Sequence, residues 1–128
     1  MTRTLIIGKP SERQKHIYET VKEAQRLAIS QTTSGVRARE IDETARKYIA
    51  NEGYGEYFVH SLGHGIGLNV HEPPTIGPVS EDIISPGNVI TIEPGIYIPR
   101  FGGVRIEDTI LVLKEKIMKL TEIGLEEE

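Results

Sequence analysis

The sequence predicts an α+β fold, with two helices packed on a curved, mainly antiparallel sheet. Three observations predict it. Ser11-Glu12-Arg13-Gln14 follows Pro10 as a helix-start signature, and apolar residues then recur at helical spacing through Ala28. From Asn88 to Leu113 runs a β-rich stretch, interrupted by Pro94-Gly95 and by Pro99-Arg100-Phe101-Gly102-Gly103. Between these regions lies His60-Ser61-Leu62-Gly63-His64-Gly65-Ile66-Gly67-Leu68-Asn69-Val70-His71-Glu72-Pro73-Pro74, where glycines alternate with apolar residues and histidines.

At 128 residues the chain has room for one domain with a real core. Its net charge of −4, with acids and bases interspersed, gives no sign of a nucleic-acid or membrane surface. Cysteine is absent, which excludes disulfides and thiolate-bound zinc and permits the expected cytoplasmic location. Leu5-Ile6-Ile7 is too short an apolar run for a signal peptide or a spanning helix.

In chain order, Thr2 to Gly8 reads as a strand, stopped by Lys9-Pro10. The first helix runs from Ser11 to about Ser30, with Ile17, Val21, Ala24 and Ala28 on its apolar stripe and His16 on its solvated side. A second extends from about Ala38 to Glu52, with Ile41, Ala45, Tyr48 and Ile49 forming the stripe and Gly53 beyond its C-terminus. Glu72 to Gly87 is a proline-punctuated loop. Asn88 to Glu93, Ile96 to Ile98 and Val104 to Leu113 are strands.

Read as an extended segment, the histidine stretch puts His60, Leu62, His64, Ile66 and Leu68 on one face. Gly63, Gly65 and Gly67 leave the other face bare, open to close approach by a backbone or ligand. His71 has the opposite parity from His64, so one site using both requires a bend or bulge. His60 and His64 have the spacing of a helical zinc pair, but Ser61 replaces the Glu base and the glycines oppose a helix. Nor do the glycines match the dinucleotide fingerprint. A single histidine is more often an ordinary half-buried side chain; three within twelve residues on a glycine-rich segment point to a site.

Across the hairpin, pairing Ile98 with Val104 sets Glu93 opposite Thr109 and diagonal to Glu107, on one face. Two facing carboxylates need a positive group between them. Either Arg105, on that face, supplies it, or a metal ion does, with an imidazole from another strand. The order His64, Glu93, Glu107 on three strands favours the metal.

Three blocks together, His60-x-x-Gly63-His64-Gly65-Ile66-Gly67-Leu68-x-Val70-His71-Glu72-x-Pro74, Thr91-Ile92-Glu93-Pro94-Gly95-Ile96-Tyr97 and Gly103-Val104-Arg105-Ile106-Glu107-Asp108, resemble the pita-bread metallopeptidases. The last two look like the Xaa-Pro aminopeptidase and dipeptidase branch rather than the methionine aminopeptidases. The resemblance implies a pita-bread fold and a pair of divalent ions, Mn, Co or Zn, in the intact family. It implies His64 as a metal ligand, Glu93 as a ligand that accepts a proton from a bridging water, and Glu107 as a carboxylate bridging both metals. It also implies that His71 steadies the tetrahedral intermediate, that His60 lines the substrate pocket, and that Arg105 supports the site.

The same resemblance places two further ligands, both aspartates, on a hairpin just before Thr2-Arg3-Thr4. Asp42, Asp82 and Asp108 do not replace them by position or strand parity. Residues 1–128 are therefore expected to be the C-terminal portion of the catalytic domain, to bind at most one ion, and to be inactive alone. Expected partners are short peptides with proline second, a missing N-terminal segment, or a second copy by self-association; nucleic acid and membrane are not expected. The alternative is a non-catalytic peptide- or partner-binding module of the same fold.

Overall fold

The computed structural model describes residues 1–122. Both helices form where their local signals place them. Ser11 caps α1 (Glu12–Gln31) through a reciprocal box: the Gln14 amide donates to its hydroxyl and its own amide donates to the Gln14 side chain. Helix α2 (Ala38–Asn51) is followed by Gly53 at φ 95°, a left-handed backbone that suits glycine. Ile17, Val21, Ala24 and Ala28 of α1 and Ile41, Ala45 and Ile49 of α2 are all buried, so each predicted stripe is a core face. His16 stays on the solvated side, between Tyr54 (2.9 Å) and Glu52 (3.1 Å).

The strands are β1 (Gly63–Gly65), β2 (Glu72–Ile76), β3 (Val89–Ile92), β4 (Gly95–Ile98), β5 (Gly102–Arg105), β6 (Asp108–Val112) and β7 (Ile117–Lys119). Five form an antiparallel sheet in the order β2-β1-β3-β6-β7, and β4 and β5 form a two-stranded ribbon. Strand alternation divides the sheet's faces. Ile90, Ile92, Ile110 and Val112 are fully buried, and Asp108, in phase with Ile110, bonds Gln25 of α1, which marks this face as the helix side. Thr91, Glu93 and Glu107 have the opposite parity and face away from the helices.

Several expectations are corrected. Thr2 to Gly8 is not a strand; only Thr2 bridges Glu107. The Thr4 hydroxyl donates to the Arg105 carbonyl (2.8 Å) and accepts from the Arg105 amide (3.2 Å). A side chain has taken the place of the next backbone pair, and the ladder stops. Glu72 to Gly87 is not all loop, because Glu72–Ile76 pairs with β1. Its prolines are tolerated because β2 is an edge strand, where a missing donor costs no ladder bond.

The hairpin register is off by two residues. Ile98 faces Gly102 and Ile96 faces Val104, which leaves a three-residue loop with Arg100 at φ 63°. A shift of two preserves the faces. With Ile92 paired to Asp108 and Gly95 to Arg105, Glu93 lies opposite Glu107 itself, and Thr109 pairs with Thr91. The expected strand Val104 to Leu113 is likewise split at Ile106-Glu107. β7, absent from the sequence reading, pairs with β6 after a turn closed by the Leu113 amide on the Lys116 carbonyl (2.8 Å).

Candidate active site

The histidine stretch is less regular than an extended reading requires. Only Gly63–Gly65 is strand, Leu62 is fully buried, and Leu68 is fully exposed. The bare-face expectation does hold at the strand itself. A Cβ at Gly63 would overlap the Thr91 carbonyl, and one at Gly65 would overlap the Pro73 carbonyl, so glycine lets β1 lie tightly between its neighbours. Register slips between His64 and Gly65, where His64 faces Thr75 but Gly65 faces Glu72. That slip of two residues preserves the faces; His71 reaches the His64 side because the chain turns back between β1 and β2, the bend its parity called for. The His64 and His71 ring centroids come within 4.1 Å.

Helix α2 holds the approach to this segment. Arg46 makes a two-bond pair with the fully buried Asp42 (2.8 and 2.9 Å) and donates to the Phe58 (2.9 Å) and His60 (2.8 Å) carbonyls. Asp42 also accepts the Leu62 amide at 3.1 Å. One ion pair thus fixes the backbone on both sides of His60.

The imidazoles are oriented by carbonyls. His64 Nδ1 lies 2.9 Å from the Gly65 carbonyl, which can only accept, so Nδ1 donates there and Nε2 faces outward. Nε2 points at Glu93 Oε2, 3.4 Å away. By the same logic His60 donates from Nδ1 to the Ser61 carbonyl (2.8 Å) and accepts at Nε2 from the Tyr97 hydroxyl (2.7 Å).

His64, Glu93 and Glu107 each offer a donor atom, and these atoms lie within 4.8 Å of one another. Glu93 Oε2 is buried and is the one such side-chain atom, among the described residues, with no hydrogen-bond partner. Burial first, and then the hydrogen-bonded contact with Glu107, hold the Glu93 carboxyl above the usual range. Burial also pushes Glu107 upward, but the Thr2 hydroxyl (2.6 Å), the hydrogen-bonded contact with Glu93 and the Met1 amino group (3.4 Å) outweigh it and hold that carboxyl low. A cation among the three donors would partner the orphan Glu93 oxygen and offset the repulsion between the two carboxylates. The donor set, one imidazole nitrogen and two carboxylates, suits a divalent metal.

Arg105 is not the group between the carboxylates. Its guanidinium donates to the Thr2 hydroxyl (3.2 Å), its positive charge partly offsets the upward push of burial on the Tyr97 hydroxyl, and among the described residues it makes no ion pair with Glu93 or Glu107. Tyr97, which the sequence reading quoted without giving it a role, therefore stands between Arg105 and His60, with its hydroxyl 2.7 Å from His60 Nε2. Strand parity was the available signal: Tyr97 shares a face with Glu93 and lies diagonal to Arg105. The roles of Asp42, Arg46 and Gln25 were also missed: the i,i+4 spacing of Asp42 and Arg46 was a readable helix pair, but the backbone groups all three hold are distant in sequence. His60, His64, His71, Glu93 and Arg105 all line one open cavity of about 500 Å³.

Comparison with known proteins identifies the family. The model of metallopeptidase family M24 matches residues 1–114. The Xaa-Pro dipeptidase of Pyrococcus horikoshii is 56% identical over 121 residues, which are 94% of this chain and 34% of that protein. The crystal structure of the prolidase from Pyrococcus horikoshii OT3 superposes with a TM-score of 0.94 at 55% identity, covering 97% of this chain and 36% of that one. An X-Pro aminopeptidase from Thermotoga maritima gives 0.88 at 41% identity, covering 92% and 34%. The chain thus spans about a third of the length of these relatives. Its two helices on an antiparallel sheet are a part of their pita-bread fold. A histidine and two glutamates converge on one part-buried point, and the family match, which covers most of the sequence, shows that this chain belongs to metallopeptidase family M24.

Proposed function

We propose that residues 1–128 are the C-terminal portion of the catalytic domain of a metal-dependent exopeptidase, one that hydrolyses the bond before proline in short peptides with proline second. The observation that carries this reading is Glu93 Oε2, buried, unpartnered and 3.4 Å from His64 Nε2. His64, Glu93 and Glu107 would hold the ion, Mn, Co or Zn. A divalent ion supplies Lewis acidity, polarising the scissile carbonyl and lowering the pKa of water.

The chain's own residues do the rest. Glu93 takes a proton from the attacking water and delivers it to the leaving amine. His71, stacked near His64, donates toward charge developing on the carbonyl oxygen. His60, fixed by the Ser61 carbonyl and the Tyr97 hydroxyl, lines the peptide-binding side, and Arg105 supports it through Tyr97. No helix among the described residues is long and apolar enough to cross a membrane. A cytoplasmic location is part of the proposal.

These residues offer three donors around one point, so one ion per chain is the expected stoichiometry. Titration of the metal-free chain with Mn²⁺ tests this, with His64→Ala abolishing binding. Two tightly held ions per chain would refute the ligand assignment. The 128 residues alone should not cleave a Xaa-Pro dipeptide. Adding a segment that supplies two further aspartates, in cis or as a separate polypeptide, should give cleavage that depends on Glu93. Self-association is expected through apolar surface such as Leu5 and Ile7, 67% and 99% exposed, and a clean monomer in sedimentation would count against it.

A further inference from the structure

We infer that Gln25, on α1, is the positioning residue that sets the spacing and aim of the Glu93–Glu107 pair; the inference rests on the metal-site reading above. The backbone pattern of β3 is the starting point. Odd-numbered residues bond toward β1: the Ile66 amide donates to the Val89 carbonyl and the Glu93 amide to the Leu62 carbonyl. Even-numbered residues bond toward β6, as when the Val112 amide donates to the Asn88 carbonyl. Glu93 and Glu107 oppose each other at a pair that makes no direct ladder bonds, where side chains stand closest. The Glu107 amide and carbonyl both turn outward, to Thr2.

The next pair, Pro94 with Ile106, should exchange two bonds. It makes one: the Ile106 amide reaches the Pro94 carbonyl at 3.4 Å. The return bond cannot exist, because proline has no N–H, and the Ile106 carbonyl loses its ladder donor. Gln25 supplies the replacement from the helix side. It is 6% exposed, and its Nε2 lies 3.4 Å from the Ile106 carbonyl, 3.3 Å from the Ile92 carbonyl and 3.0 Å from Asp108 Oδ2.

Ile92 immediately precedes Glu93, and Ile106 immediately precedes Glu107. A single carboxamide therefore ties together the two backbones just before the two carboxylates, at the one step where Pro94 leaves the hairpin without a bond. It also touches Asp108, the residue after Glu107. The distance between two ligand-bearing strands thus depends on a side chain from a helix on the far face of the sheet.

The test uses proline's missing donor as its control. Gln25→Met keeps the approximate volume and removes the N–H groups, and Mn²⁺ affinity measured by calorimetry should fall about tenfold, as is usual when a ligand's supporting hydrogen bonds are lost. Pro94→Ala restores a backbone N–H facing the Ile106 carbonyl. The double variant Gln25→Met/Pro94→Ala should recover much of the lost affinity, which a merely volume-filling role for Gln25 would not produce. Unchanged Mn²⁺ affinity in Gln25→Met, or a loss that Pro94→Ala does not relieve, would overturn the inference.

If the unmodified chain takes up no Mn²⁺, the metal-site reading fails on its own, and bracing is read from amide exchange in the metal-free chain. Exchange at Glu93, Ile106 and Glu107 should quicken in Gln25→Met and slow again in the double variant; unchanged exchange there would sink it. Should Gln25→Met not fold, Pro94→Ala alone decides. The Gln25 side-chain amide then loses an acceptor and its protons should exchange faster, while unaltered exchange overturns the inference.

Discussion

The two sides of the cavity are built differently. On the carboxylate side, Glu93 and Glu107 sit at the break between the five-stranded sheet and the β4–β5 ribbon, in a register the two share, above a fully buried layer of Ile90, Ile92 and Ile110. On the histidine side, His60, His64 and His71 ride on a segment with only three residues of regular strand, and Val70 and Leu68 lie in solvent. There, position comes from glycine-permitted contact and from one ion pair on α2. The carboxylates are held by the core, and the histidines are held by a clamp. A site that fixes its anionic ligands in the sheet can leave its substrate-facing groups on a more yielding segment.

Breaking either side at its ligand should have the largest effect. In a chain completed with the two further aspartates, Glu93→Gln should lower peptide cleavage by about 10²–10³-fold or more in a steady-state assay, because it removes both a ligand and the proton acceptor. Cleavage within tenfold of the parent would show that another group accepts the proton.

Next is the clamp. Asp42→Ala leaves the Arg46 guanidinium facing two carbonyls without its buried partner, and should cost about 3–5 kcal/mol in denaturant unfolding. Amide exchange should quicken around Phe58 to His64 while Ile90 to Ile92 stay protected. Uniform loosening of both sides would erase the distinction drawn here.

A core truncation probes the other side. Ile90→Ala, at a fully buried site among Ile residues, should cost about 2–5 kcal/mol, but the loss should be global, since this strand carries the sheet. A loss confined to the histidine segment would contradict the assignment of β3 as the rigid member.

The smallest effect is a pH dependence with two windows of opposite sign. Glu93 is held above its ordinary 4.5, so the folded metal-free chain binds more protons than the unfolded one, and stability should fall as pH rises from about 4.5 through the raised value. Asp108, despite burial, is held below its ordinary 3.8 by Arg3, Lys119 and Thr121. Its contribution is present above that value and lost as pH falls through the lower one. Thermal midpoints in chelator should therefore fall toward both ends, and Mn²⁺ should remove the upper decline. An upper decline that persists in Glu93→Gln would assign it to another group.

The outcome of reading the sequence divides along the same line. Both helices were legible because their signals are local: Ser11 and Gln14 cap each other across one turn, and the apolar stripes recur within a few residues. The hairpin was legible but its register was not. A three-residue loop with Arg100 at φ 63° puts a non-glycine where the expected turn chemistry has no place for it. Because the error was two residues and not one, both glutamates stayed on the right face. β2 was hidden by Pro73-Pro74, and only its position at the sheet edge makes that strand possible.

By itself, the sequence determined which side chains are available and, in the two helices and the Glu93–Glu107 hairpin, which face each takes, since helical and strand periods are properties of adjacent residues. It also carried the three motif blocks that mark the metallopeptidase. Tertiary structure alone decided that Glu93 meets Glu107 directly, that Arg105 turns to Thr2, and that Arg46 and Gln25 reach across to distant carbonyls. Those choices depend on which backbone donors and acceptors remain unpaired once the sheet is assembled. A missing proline N–H has no consequence until an opposite strand brings a carbonyl to face it.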